Sequence, residues 1–125
     1  WNLMGQYQGE ATITNLPNSE PTGSVDVDLS IVQNPTQCII EADIEEYDGP
    51  PWGQGTLIGE FTESGELNLA GRMRHQQEPA KTWEVDMMLY FRENESIRGI
   101  STWYPQSDAA GSTIYEEELV AEKVN

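Results

Sequence analysis

The chain has 125 residues, 37% hydrophobic and 9% aromatic, with 11 Gly and 7 Pro; this is the size and mix of one globular domain, residues 1–125, and it excludes wholesale disorder. Its 22 Asp and Glu against 6 Lys and Arg give a net charge of −16. Such a surface repels phosphate backbones and anionic headgroups, so nucleic-acid binding and electrostatic membrane binding are excluded as functions, and no apolar run approaches the ~18 residues of a helical membrane insertion.

The acid itself has three readings: a solvated surface, adaptation to high salt in a chain whose only lysines are Lys81 and Lys123, or a basic partner or bound cations. The single cysteine, Cys38, excludes an internal disulfide and is compatible with a secreted, periplasmic or cytoplasmic location. The opening at Trp1, without an initiator Met, is expected of a processed or trimmed form.

Apolar and polar residues alternate with a period of two along the chain, and no stretch carries a helical period. The first strand is expected over about 5–14, with Tyr7, Gly9, Ala11 and Ile13 on one face. The second, about 23–32, turns in Val25, Val27, Leu29 and Ile31; the third, about 38–46, turns in Ile40, Ala42 and Ile44. A turn at Gln33-Asn34-Pro35-Thr36 sets Leu29 opposite Ile40 and Val27 opposite Ala42. The fourth and fifth, about 56–62 and 66–74, meet around Glu63-Ser64-Gly65, a three-residue loop with Gly where φ must be positive. The sixth and seventh, about 82–92 and 96–104, turn at Glu93-Asn94-Glu95 and match Phe91 with Ile97. The eighth is expected over about 112–123, where Thr113, Ile114 and Tyr115 favour a strand over the helix suggested by the acidic run after them.

Short turns at 33–36, 63–65 and 93–95 fall at one end of an up-and-down order, and longer loops at about 15–22, 47–55, 75–81 and 105–111 at the other. With eight antiparallel strands the first and last can pair, which removes both edges. The fold class expected is therefore all-β, an eight-stranded antiparallel up-and-down β-barrel. Such a barrel is filled by side chains or holds one small ligand. The inward Gly9, Gly59, Gly71 and Gly99 fit either added space or strand bending at barrel corners.

Trp83, Trp103 and Tyr115 lie near the long loops, and Tyr47 and Trp52 lie on one of them. With Met73 and Met87 they form the candidate ligand-binding set: Tyr47, Trp52, Met73, Trp83, Met87, Trp103 and Tyr115, suited to a small apolar or aromatic molecule. The alternative is that the same rings plug a packed core.

The opening Trp1-Asn2-Leu3-Met4-Gly5-Gln6-Tyr7-Gln8-Gly9 followed by a meander resembles the start of calycin-type barrels, the lipocalin and avidin-like group. Those barrels open with Gly-x-Trp, and lipocalins often close with a basic residue that packs over the Trp. Gly5, Tyr7 and Lys123 occupy these places, with Tyr in place of Trp and Lys in place of Arg. The resemblance implies the barrel architecture and carries over no ligand-contacting residue.

There is no P-loop, no Gly-x-Ser-x-Gly and no zinc spacing, so neither a metal nor a cofactor is expected. Glu117 is the catalytic candidate: its phase turns it inward, roughly opposite Gly99, where burial raises a carboxyl pKa. His75 reads as a solvated rim residue, Cys38 as a buried inert thiol beside Ile40, and Asn94-Glu95-Ser96 as a glycosylation sequon. On the outer face Asp26 is set against Asp43 and Asp28 against Glu41, a solvated acidic ladder. Ile58, Met88, Tyr90 and Ile100 also point out, with Tyr90 opposite Arg98 and Met88 opposite Ile100, and form an apolar wall suited to a homodimer. Three functions follow: binding of a small hydrophobic molecule in the open end of the barrel; a cofactor-independent cyclase or isomerase resembling the allene oxide cyclase-like and spirotetronate-forming barrels; or a structural or assembly subunit with a filled barrel.

Overall fold

The computed structural model describes residues 3–16, 20–34, 36, 39–47 and 51–124, with the backbone alone at 16, 20–22, 51 and 52. Eight strands, β1 (Gly5–Leu16), β2 (Glu20–Asn34), β3 (Ile39–Tyr47), β4 (Pro51–Phe61), β5 (Leu67–His75), β6 (Thr82–Phe91), β7 (Ser96–Pro105) and β8 (Ile114–Lys123), pair in chain order into a closed barrel. Every neighbouring pair is antiparallel, including β8 with β1. A 3₁₀ turn at Asp108–Ala110 lies between β7 and β8.

The period-two pattern sorts the side chains. Tyr7, Leu29, Ile31, Leu57, Leu67, Leu89 and Ile97 are among the fully buried core, while Ile58, Ile100 and Val120, one step out of phase, are exposed. Two hairpins form as the turn residues dictate. Thr62 N donates to Glu66 O at 2.8 Å, Gly65 has φ of 93°, and Phe61 pairs with Leu67. Phe91 pairs with Ile97, and Arg92 N donates to Ser96 O at 2.9 Å. The rings of Phe61 and Phe91 meet at this tight end, 5.9 Å apart.

Two registers differ from the sequence expectation. Leu29 pairs with Ile44 and Ile31 with Ala42, because β2 continues through Gln33 and Asn34, the residues expected to turn. The partner has moved four positions, an even number, so every side chain keeps its face. On the outer surface Asp28 now faces Glu45, while Asp43 faces Ser30, Glu41 faces Val32 and Asp26 faces Tyr47, so the expected like-charge ladder is diluted. Glu117 pairs with Ser101 rather than Gly99, which is opposite Leu119.

Two of the expected long loops are largely strand. β1 runs to Leu16 and β2 resumes at Glu20; β3 runs to Tyr47 and β4 starts at Pro51. The Gly-rich start of β4 packs flat against β5: a Cβ at Gly55 would run into the Arg72 carbonyl oxygen. The same holds at the inward glycines. A Cβ at Gly9 would collide with the Val120 carbonyl, one at Gly59 with the Asn68 carbonyl, and one at Gly71 would lie 2.5 Å from Thr56 O. At Gly99 it would lie 2.6 Å from Leu89 Cδ2. These glycines allow close approach of neighbouring strands and side chains and do not hollow the barrel. Cys38 lies outside the described residues.

Candidate functional site

The inward phases of β6 and β7 end, away from the tight hairpins, in Trp83 and Trp103. Their rings meet edge to face, with centroids 5.7 Å apart and planes at 67°, an arrangement favoured by the ring quadrupoles. Both are buried, and Trp103 Nε1 donates to Ser101 Oγ at 3.0 Å. Met73 pairs with Trp83 across β5 and β6, and Tyr115 pairs with Trp103 across β7 and β8. Met87 is buried further down β6, opposite Ser101. Met73, Trp83, Met87, Trp103 and Tyr115 are thus gathered on the inner face.

Tyr47 is not among them. It lies in the outward phase of β3 and its hydroxyl donates to Glu45 Oε2. That bond, with the negative field of Glu45 and Asp28, holds the phenol up at about 12. Trp52 lies in β4, and its side chain is outside the described residues.

Two carboxyls share this interior. Glu117 on β8 and Glu46 on β3 are 2% and 1% exposed, and each lies close enough to shift the other's ionisation. Two buried carboxyls this close repel when both are charged, which favours a proton on the pair. Burial pushes both upward. Glu46 is held well above the usual carboxylate range, with the charge of Glu117 adding to desolvation. Glu117 is pushed up to about 7 by desolvation, with Glu46 pulling the other way. Glu46 Oε1 is buried without a hydrogen-bond partner.

The register sets what surrounds the pair. Glu117 lies between Ile13 on β1 and Ser101 on β7. Glu46 lies between Val27 on β2 and Gly53 on β4, and Gly53 in turn adjoins His75 on β5. Gly53 differs from the glycines lower in the barrel. A Cβ there would meet only Arg74 O at 3.8 Å, Trp103 Cη2 at 3.9 Å and Met73 Cε at 4.0 Å, ordinary contact distances. A methyl group fits here, bordered by Met73 and Trp103 and flanked in register by Glu46 and His75.

His75 corrects the expectation of a solvated rim residue. β5 runs one residue further than expected and carries His75 inward in phase with Met73, leaving it 9% exposed. Its Nδ1 accepts N–H bonds from Gln77 at 3.2 Å and Glu78 at 3.0 Å, which places the neutral ring's proton on Nε2.

Glu46 was not anticipated as an inward residue. The phase of Ile40, Ala42 and Ile44 leads straight to it, but the following Tyr47-Asp48-Gly49-Pro50-Pro51 reads as loop and masks the last inward position.

Residues 76–81 and 106–113 roof this end. Ser107 Oγ donates to Ala80 O at 2.6 Å and accepts from Thr82 N at 3.2 Å, and Gln106 N donates to Thr82 O at 2.9 Å. The 3₁₀ turn in the roof buries none of its residues. Three concavities of the described surface all lie outside the wall. One of about 510 Å³ is lined by Asp43, Thr56, Arg72 and Arg74. Another, about 470 Å³, is lined by Ile58, Met88, Tyr90 and Ile100. The third, about 570 Å³, is lined by Tyr90, Arg92, Arg98 and Val120. Among the described residues no group of three His, Cys, Asp or Glu is placed to hold a metal ion.

No protein-family model matches the sequence, and no curated protein matches it. Among solved structures the barrel is similar to an S-type phycobiliprotein lyase from Guillardia theta, with a TM-score of 0.58 and 9% identity, over 98% of this chain and 88% of that one. At that identity the likeness is one of fold, a closed all-β barrel. The first and last strands keep the positions on which the calycin-type resemblance rests: Gly5 opens β1, and Tyr7 pairs directly with Lys123.

Proposed function

We propose that the chain is a small-molecule-binding barrel that takes an aromatic or apolar ligand at its roofed end, against Met73, Trp83, Trp103 and Tyr115. The observation that carries this reading is the Glu46–Glu117 pair beside the paired tryptophans. A buried acceptor left without a partner costs about 1–3 kcal/mol, and a buried carboxyl pair is a poor choice for stability where apolar packing would serve. Polar groups kept at such a cost among aromatic side chains are characteristic of ligand sites. The roof supports access, because its 3₁₀ turn contributes only the half-buried Ala110 to the core and is inexpensive to lift. The fold likeness to a phycobiliprotein lyase supports the class at the level of architecture.

Tryptophan emission tests the reading. N-phenyl-1-naphthylamine, a neutral aromatic probe, should quench the wild type, and Trp103→Ala should weaken binding by about tenfold. Tyr104→Ala, on the next and outward residue, should leave it unchanged. Equal losses in the two variants would contradict an interior site.

A second reading, a cofactor-independent isomerase or cyclase on the same barrel, is favoured by two buried carboxyls held above the ordinary carboxylate range, with Glu117 as catalytic residue. Under it Glu117→Gln would bind substrate and fail to convert it. As partner for the outer wall of Ile58, Met88, Tyr90 and Ile100 we propose a second copy of this chain.

A further inference from the structure

We propose that the Glu46–Glu117 pair recognises a positively charged nitrogen, so that the ligand is an aromatic amidinium or protonated amine whose ring contacts Trp83 and Trp103. This rests on the ligand-binding reading and names the ligand class of that same site.

Trp103 Nε1 is taken by Ser101, and the Tyr7 hydroxyl, at the opposite end, by Leu3 O at 2.7 Å. Glu46 Oε1 has no partner. Among the described residues no Lys or Arg is buried, so neither a lysine nor an arginine neutralises the pair. With Glu117 ionised and Glu46, held well above the usual carboxylate range, still protonated, the pair carries a single negative charge. A monocation makes that site neutral, and a planar amidinium offers parallel N–H donors that match a carboxylate. Tryptophan is also the best aromatic partner for a cation, and the field of a chain at −16 draws cations toward it and repels anions.

The room at Gly53 lies on the Glu46 side, where Trp103 Cη2 and Met73 Cε border it.

The other titratable groups on the inner face are His75 on β5 and Tyr115 on β8; β1, β2, β4 and β7 present Ile13, Val27, Gly53 and Ser101 to the pair. In the roof Glu78 and Lys81 are ion-paired at 2.8 Å, and Asp108 is exposed. Because Glu117 ionises at about 7, affinity for a permanently charged amidinium should rise with pH through that region.

Calorimetry with naphthalene-2-carboxamidine and its neutral isostere naphthalene-2-carboxamide, in 150 mM NaCl, tests this. The amidine should bind at least about tenfold tighter than the amide at about pH 8.5, and the preference should shrink severalfold at about pH 5.5. It should vanish in Glu46→Gln/Glu117→Gln and persist in Asp26→Asn/Asp28→Asn, which removes the same number of carboxylates from the outer face. If the amide binds the wild type as tightly as the amidine, or the outer-face variant loses the preference equally, the inference falls and the ligand-binding reading stands. If neither naphthalene compound binds, the inference falls; if N-phenyl-1-naphthylamine fails to bind as well, both readings fall.

Discussion

Two carboxyls buried against each other make the folded chain a better proton binder than the unfolded one. Both Glu46 and Glu117 are raised above the ordinary 4.5, Glu117 to about 7. The stability linked to their protons is therefore fully present below about 4.5 and is lost as pH rises through 7 and beyond. The melting temperature of the wild type should fall between pH 5 and pH 8, and that of Glu117→Gln should fall less; parallel profiles would contradict a buried, proton-binding pair. Glycines separate in the same residue-by-residue way. Gly59→Ala places a Cβ into the Asn68 carbonyl and should cost about 3 kcal/mol or more in denaturant unfolding, whereas Gly53→Ala should stay within about 1 kcal/mol. At this scale, inward placement was readable wherever the period ran unbroken, as at Glu117. It was hidden at Glu46 and His75, where Gly-, Pro- or Gln-rich residues follow and suggest that the strand has already ended.

Between elements, the registers of the β4–β5 and β6–β7 hairpins were readable and that of β2–β3 was not. Gly65 supplies the positive φ that its three-residue loop needs, so Phe61 meets Leu67. The β6–β7 turn uses Glu95 at φ of 59° instead, a left-handed conformation that an L side chain adopts at a cost. Glu95→Gly should therefore stabilise the chain by about 0.5–1 kcal/mol, and a loss in calorimetric melting temperature would refute the strain. The β2–β3 register was misjudged because Gln33 and Asn34 are polar and precede Pro35, a turn signal, yet they still pair with Ile40 and Ile39. Pleat parity alone cannot fix a shift of four residues, since both registers bury the same face.

At the scale of the whole molecule, closure was readable from an even count of alternating strands. The roof was not, because its hydrogen bonds join residues such as Ala80 and Ser107, which no local pattern links. The outer surface divides into an acidic side on β2 and β3 and an apolar wall on β4 to β7, where Ile58, Tyr90 and Ile100 are exposed. Two copies meeting through the apolar walls leave the acid in water. Sedimentation at micromolar concentration should give a dimer that Met88→Glu dissociates; a monomeric wild type would remove this wall as an interface.

The central claim, a ligand held inside the barrel under the roof, is tested most directly by ¹H–¹⁵N spectra. The chain has four tryptophans, hence four indole N–H signals. Saturation with N-phenyl-1-naphthylamine should move the indole signals of Trp83 and Trp103 and leave the backbone amides of Ile58, Met88 and Ile100 in place. Shifts confined to the outer-wall amides, with the Trp83 and Trp103 signals unmoved, would contradict it.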